Sequence, residues 1–136
     1  MNYYDNLKQI ADKLTTDLGA GYIVKTILST DDIPDQQGTK PTVLLLPGTD
    51  EIKDSTEDTL RIDRKFIVKY VKKTANKLKQ DETDGEVIHS IVKSLHGYSV
   101  AKTYEIKLQY VTPEFLEEEK FRSYEVGFNV VFTLKL

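Results

Sequence analysis

The chain has 136 residues, a mass of 15.6 kDa, no cysteine, a formal charge of -3 and a pI near 5.4. Without cysteine there is no disulfide framework, no thiolate zinc site and no cysteine nucleophile. The slight acidity gives no global attraction to nucleic acid or anionic membranes, and no apolar run approaches the roughly 20 residues that span a bilayer.

The first residues, MNYYDNLKQIADKL, lack the basic start and apolar core of a signal peptide, so the cytoplasm is the expected compartment. Tyr3, Leu7, Ile10, Leu14 and Leu18 recur at spacings of three and four, the stripe of an amphipathic helix that Gly19 to Gly21 should end. YIVKTIL (22–28) reads as a short strand rich in β-branched residues. The polar stretch 29–41, broken by proline and glycine, reads as a surface loop. TVLLL (42–46) is continuously apolar and so predicts a strand buried on both faces, and 47–58 predicts a turn and a second exposed loop.

From Thr59 to Lys73 the chain alternates: Leu60, Ile62, Phe66, Val68 and Tyr70 share one face, interrupted only by Arg64. Residues 74–85 read as a solvated linker. Thr83 and Glu86 have capping-box spacing, Val87, Ile88, Ile91, Val92 and Leu95 follow at helical spacing, and Gly97 supplies the stop. KTYEIKLQYV (102–111) predicts a strand with Tyr104, Ile106, Leu108 and Tyr110 inward. Within 112–121, Thr112 and Pro113 suit the start of one helical turn. The last strand, 124–136, has Tyr124, Val126, Phe128, Val130, Phe132, Leu134 and Leu136 at every second position. A strand at that place in a sequence is an edge liability unless it pairs in mid-sheet or a neighbouring subunit covers it.

This is the order α-β-β-β-α-β-β. It predicts one α+β domain over 1–136, a two-layer sandwich with a mostly antiparallel sheet of about five strands and both helices on one face. The opposite sheet face should be polar and mixed in sign, presenting Arg61, Asp63, Lys65, Lys69, Glu105 and Lys107, with Gln109, Glu125, Asn129 and Lys135.

Chemistry is sparsely signalled, and no catalytic, cofactor-binding or metal-binding residue is expected. His89 and His96 lie seven residues apart, about two helical turns, too far to clamp one ion unaided. The carboxylate clusters fall in predicted loops rather than on the rigid strand ends a magnesium-dependent nuclease uses. LLPGTDE lacks the glycine spacing and the Lys-Ser/Thr pair of a phosphate loop. The lysines between Lys65 and Lys79 have no interleaved aromatic platform except Tyr70, which should point inward. Tyr3, Tyr4, Phe115, Leu116, Phe121 and Tyr124 are the candidate interface residues. Aromatics on end segments either anchor partners or fold back over the open edges of a small core.

With its N-terminal amphipathic helix, long polar stretches, mid-chain helix and last strand FRSYEVGFNVVFTLKL, the chain resembles the tail terminator or tail-completion proteins of long-tailed bacteriophages, which also occur in phage-tail-like bacteriocins. The resemblance implies a structural subunit with no cofactor, which closes with copies of itself into a ring, usually a hexamer, on the end of the tail tube. Its other expected partners are the tail tube protein and the head-tail connector protein. DNA would pass through the lumen without specific binding, and no membrane is involved. It also implies a place in the host cytoplasm during assembly and then in the virion tail. The stretches 29–41, 47–58 and 112–121 are the material for its contacts. A head-closure ring subunit, a small cytoplasmic protein-binding or dimerisation domain and a metal-dependent nuclease are the alternatives.

Overall fold

Leu7, Ile10 and Leu14 are fully buried on one side of α1 (Asp5–Leu18), with Asp5 in the first turn, where the helix dipole favours an acid. A computed structural model describes residues 3–26, 41–73, 82–100, 104–116 and 121–136. After α1 come β1 (Ile23–Thr26), β2 (Thr42–Ser55), β3 (Thr59–Lys73), α2 (Glu82–Leu95), β4 (Ser99–Val100), β5 (Tyr104–Glu105), β6 (Lys107–Leu116) and β7 (Phe121–Lys135). Five strands form one sheet in the order β1-β2-β3-β7-β6, and β4 with β5 makes a separate two-stranded ribbon. Only the β1–β2 pair of the main sheet is parallel.

One hydrophobic cluster joins both helices to one sheet face. Leu7, Ile10 and Leu14 of α1 and Val87, Ile91 and Leu95 of α2 pack with Val43, Leu45, Phe66, Val68, Val126 and Phe128. The expected α+β sandwich with both helices on one side is therefore the observed one. Phe66 stacks on Phe128, and Tyr70 on Tyr124, at centroid distances of 5.4 and 6.0 Å, as cross-strand partners of β3 and β7. The last strand pairs with β3 along its whole length, and from Phe121 to Asn129 it lies between β3 and β6.

Two polar ties hold the helices. Ser94 Oγ donates to Asp17 Oδ2 at 2.6 Å and Lys13 Nζ reaches the same oxygen at 3.0 Å, joining α2 to α1. The Ser94 hydrogen bond and then Lys13 hold the Asp17 carboxyl below its ordinary pKa. Asp84, fully buried in the first turn of α2, accepts from Tyr124 Oη at 2.9 Å, and its other oxygen lies 3.8 Å from Lys72 Nζ. Gly97 ends α2 with φ 82°, a left-handed conformation that side chains disfavour, and its N–H donates to Ile106 O.

Several boundaries depart from the sequence reading. The predicted strand 22–28 is β1, Ile23–Thr26, and residues 27–40, most of the predicted loop 29–41, lie outside the described residues. TVLLL is buried from Thr42 to Leu45 on both faces as expected, but the strand continues through the supposed loop to Ser55. What reads as a turn at Pro47-Gly48 is a β-bulge, because one register shift falls between Pro47 and Asp50 and another between Ile52 and Asp54. Within the linker 74–85, residues 74–81 lie outside the described residues, and α2 begins at Glu82, so Thr83 is inside its first turn rather than at its cap.

The strand predicted for 102–111 is two pieces with buried Ile106 between them. A register shift between Leu108 and Tyr110 then turns Tyr110 to the polar face, 44% exposed, with its ring against the bare backbone of Gly127. Burial and then the Glu125 charge raise the Tyr110 phenol above its ordinary pKa. In place of the helical turn expected from Thr112, Thr112–Leu116 pair with Phe121–Glu125 as the outer part of the β6–β7 pair, and residues 117–120 lie outside the described residues. Pro113 is tolerated there because β6 is an edge strand.

A Cβ at Gly48 would stand 2.7 Å from the backbone carbonyl oxygen of Lys65, whereas one at Gly85, within α2, meets nothing within 4 Å. Gly48→Ala should therefore lower stability by about 1–3 kcal/mol, and Gly85→Ala should raise it by about 0.5–1 kcal/mol. Thermal unfolding of the two variants against the parent chain checks both signs, and a harmless Gly48→Ala would contradict the close approach at the bulge.

Candidate functional site

An arginine on an otherwise apolar strand face must find a carboxylate or leave the core. Arg64 is 0% exposed. Its Nε and Nη2 donate to Asp50 Oδ1 and Oδ2, each at 3.0 Å, a bidentate pair. Its Nη1 donates to Tyr3 O at 3.0 Å and to Asn6 Oδ1. The rings of Tyr3, Tyr4 and Phe132 lie 4.6, 4.9 and 4.8 Å from the guanidinium carbon, so cation–π contact surrounds the charge. Tyr3 Oη donates to Asp50 Oδ2 at 2.6 Å. That hydrogen bond, followed by burial, raises the Tyr3 phenol above its ordinary value of 10.0.

Asp50 reaches Arg64 because of the bulge. Val43, Leu45 and Pro47 share the helix-side face with their partners, and without the extra residue Asp50 would point the other way. The sequence reading placed Asp50 in a loop and saw Arg64 only as an interruption. The legible signal was the interruption itself, which demands a nearby acid.

Of the candidate interface residues, Tyr3 and Tyr4 are partly exposed, at 36% and 37%, with their rings on Arg64. Tyr124 is 2% exposed and faces the core, so it offers no surface to a partner. Phe115, Leu116 and Phe121 lie on β6 and β7, with Leu116 opposite Phe121 in the ladder. Their side chains are outside the described residues.

The polar sheet face brings together most of its predicted residues. Gln109 Nε2 donates to Asn129 Oδ1 at 2.8 Å, and Asn129 Nδ2 donates to Asp63 Oδ1 at 3.1 Å, a chain of amides across β6, β7 and β3. Beside it Arg61, Glu105, Lys107, Asn129, Val131 and Thr133 line a cleft of about 440 Å³. Lys65 is exposed and Lys69 half-buried farther along β3. A second cleft, of about 250 Å³, opens on the helix side against Tyr3, Val100, Val130, Phe132 and Leu134. Tyr104 and Thr133 line both clefts.

The histidines do not converge. Both are exposed; His89 is on α2, and His96, just past its end, accepts the Leu108 N–H at Nδ1, 3.0 Å away. Among the described residues no three His, Asp or Glu side chains stand where they would hold a metal ion. No described helix is long and apolar enough to cross a membrane.

No protein-family model and no curated protein matches the chain. Among solved structures it is similar to a chain in the virion of a native gene transfer agent (GTA) particle, with TM-score 0.54 and 13% sequence identity. The match covers 94% of this chain and 89% of that one, so the fold is shared over nearly the whole length of both.

Arg64→Ala should cost about 3–5 kcal/mol, since it strands Asp50 beside the core, while Tyr3→Phe should cost about 1 kcal/mol. Because folding raises the Tyr3 pKa, its contribution is complete below pH 10 and is lost as pH rises through the folded-state value. Denaturant titrations from pH 8 to 11.5 should thus show an alkaline loss in the parent chain that Tyr3→Phe lessens. Equal slopes in the two proteins would exclude this part of the cluster.

Proposed function

We propose that this chain is a structural subunit of a tailed, phage-like particle: a tail terminator that closes with its copies, as a hexamer, into a ring on the end of the tail tube. The ring stops the tube from growing and presents the surface that the head connector joins. It makes and breaks no bonds. The observation that carries the reading is the fold shared with the gene transfer agent virion chain over almost the full length of both. The element order and the aromatic-rich last strand, which resemble tail terminators, supply the narrower role.

A tube built by head-to-tail contacts has an unsatisfied end at every stage, and a protein that binds that end without offering a copy of it stops growth. Each subunit of such a ring needs two different, complementary surfaces. Ile52, Val111 and Leu136, at 51, 42 and 71% exposed, supply apolar material at several places on the periphery. Turned to the lumen, the polar sheet face sets Arg61, Lys65, Lys69 and Lys107 among Asp63, Glu105 and Glu125. That mixed charge lets DNA slide past rather than gripping its phosphates. Assembly then takes place in the host cytoplasm, and the finished ring resides in the particle.

Multi-angle light scattering and electron microscopy of the chain, alone up to millimolar concentration and mixed with purified tail tubes, test the reading. Rings of uniform size at tube ends, with tube length no longer increasing, are the expected result. Rings that leave tube growth untouched would move the chain to the adjoining connector position. A monomer under every condition, with tubes unaffected, would remove it from the tail.

A further inference from the structure

Among the described residues the end of the sheet that holds Arg64 is three strands wide, with an unpaired edge on each side. β6 pairs with β7 only as far as Asn129, and from Val130 to Lys135 no described strand hydrogen-bonds to the outer edge of β7, although Tyr104 and Glu105 of the β4–β5 ribbon flank its start. On the other side β1 pairs with β2 only from Thr42 to Leu45, and among the described residues no strand pairs with Asp50–Ser55 along that edge. The β7 edge has no bulge and no proline, and it reads Val-Val-Phe-Thr-Leu. Natural edges of that composition are covered or blunted. Here the two clefts lie on either side of the bare strand, with Tyr104 and Thr133 in both.

We propose that a second copy of this chain fills this edge, through the β2 segment Asp50–Ser55. The inference rests on the ring reading and names its contact. Three observations select this occupant. The first is direction: β2 and β7 are both antiparallel to β3, so they run the same way, and rotation about an axis along the strands sets β2 of one copy beside β7 of the next as a parallel pair. The second is level: Ile52 pairs with Ile62 and Ile62 with Phe132, so Ile52 arrives at the height of the apolar cleft. Ile52 is 51% exposed in the single chain and lies on the helix-side face, the face on which Val130, Phe132 and Leu134 line that cleft.

The third is charge. Glu51 pairs with Asp63 and Asp54 with Arg61, which puts both acids on the polar side, level with the neighbour's cleft, where Arg61 and Lys107 outnumber Glu105. Apolar meets apolar on one face and acid meets base on the other. The bulges limit the regular ladder to Asp50–Ile52, so side chains carry most of the contact. Because the contact joins two different edges, it is head-to-tail, the kind that closes into a ring when the rotation between copies divides a full turn.

The absence of native cysteine makes a direct test clean. Asp54 and Thr133 are both exposed and lie level with each other across Arg61. Within one copy they are two strands apart, about 9–10 Å, beyond the reach of a disulfide. The double variant Asp54→Cys/Thr133→Cys, oxidised under conditions in which the parent chain assembles, should give a ladder of covalent multimers up to the ring, and neither single variant should. Ile52→Lys should leave thermal unfolding unchanged and weaken assembly at least tenfold, while Ile52→Val should assemble like the parent. If the parent chain assembles but no ladder forms and Ile52→Lys assembles normally, the edge contact is wrong and the ring stands. A parent chain that never assembles, with or without tubes, overturns the ring and this contact together.

Discussion

Removing a guanidinium from water costs several kcal/mol, and the cost is offset only when an acid and further acceptors meet it in good geometry. Arg64 meets that condition through Asp50, the Tyr3 carbonyl and Asn6, and three rings complete its enclosure. The consequences spread along the chain. β2 must bulge so that Asp50 faces the helix side, and the bulge needs Gly48 because the Lys65 carbonyl lies in the way. The N-terminal residues must lie over the sheet, so α1 enters the core from a defined point. One buried charge thus coordinates β2, β3, β7 and α1, four elements that apolar packing alone would align less strictly.

The opposite end of the domain is organised differently. There the Asp84 carboxylate joins α2 to Tyr124 and approaches Lys72, and the stacked rings of Tyr70 and Tyr124 fill the layer between sheet and helix. Between the two polar anchors the core is aliphatic and aromatic, with Phe66 on Phe128 at its centre. The proposed ring would draw on such a frame, because edges presented to neighbouring copies stay in register only if the sheet behind them does not slip. The bulged edge of β2 and the smooth edge of β7 are unlike surfaces of one rigid sheet, the condition for a closed head-to-tail assembly.

Residue alternation made β3 and the last strand readable to within a few positions, and helical spacing did the same for the apolar stripes of α1 and α2. The hairpin arm of β2 is not legible as a strand because, apart from Ile52, its residues after Leu46 are polar or turn-forming, and two bulges break any period. Simple alternation puts Tyr110 inward, and the irregularity that turns it outward is visible only in the pairing of β6 with β7. The Arg64 cluster was half legible. The arginine stood out against its apolar neighbours, yet Asp50 is 14 residues away and Tyr3 is 61, and nothing local marks them as its partners.

The sequence by itself therefore determined what each segment can do alone: which face of α1, α2, β3 and β7 is apolar, where glycine stops α2, and that no thiol chemistry is available. These follow from periodicity and side-chain type, which act over a few residues. Only the tertiary structure decided that the last strand has described partners on both sides for part of its length and on one side for the rest, that two clefts share Tyr104 and Thr133 beside it, and that Arg64 is enclosed. Each of these depends on which strands become neighbours and in what register. That choice is made by the whole core at once, because a one-residue slip would turn every apolar side chain to the wrong face.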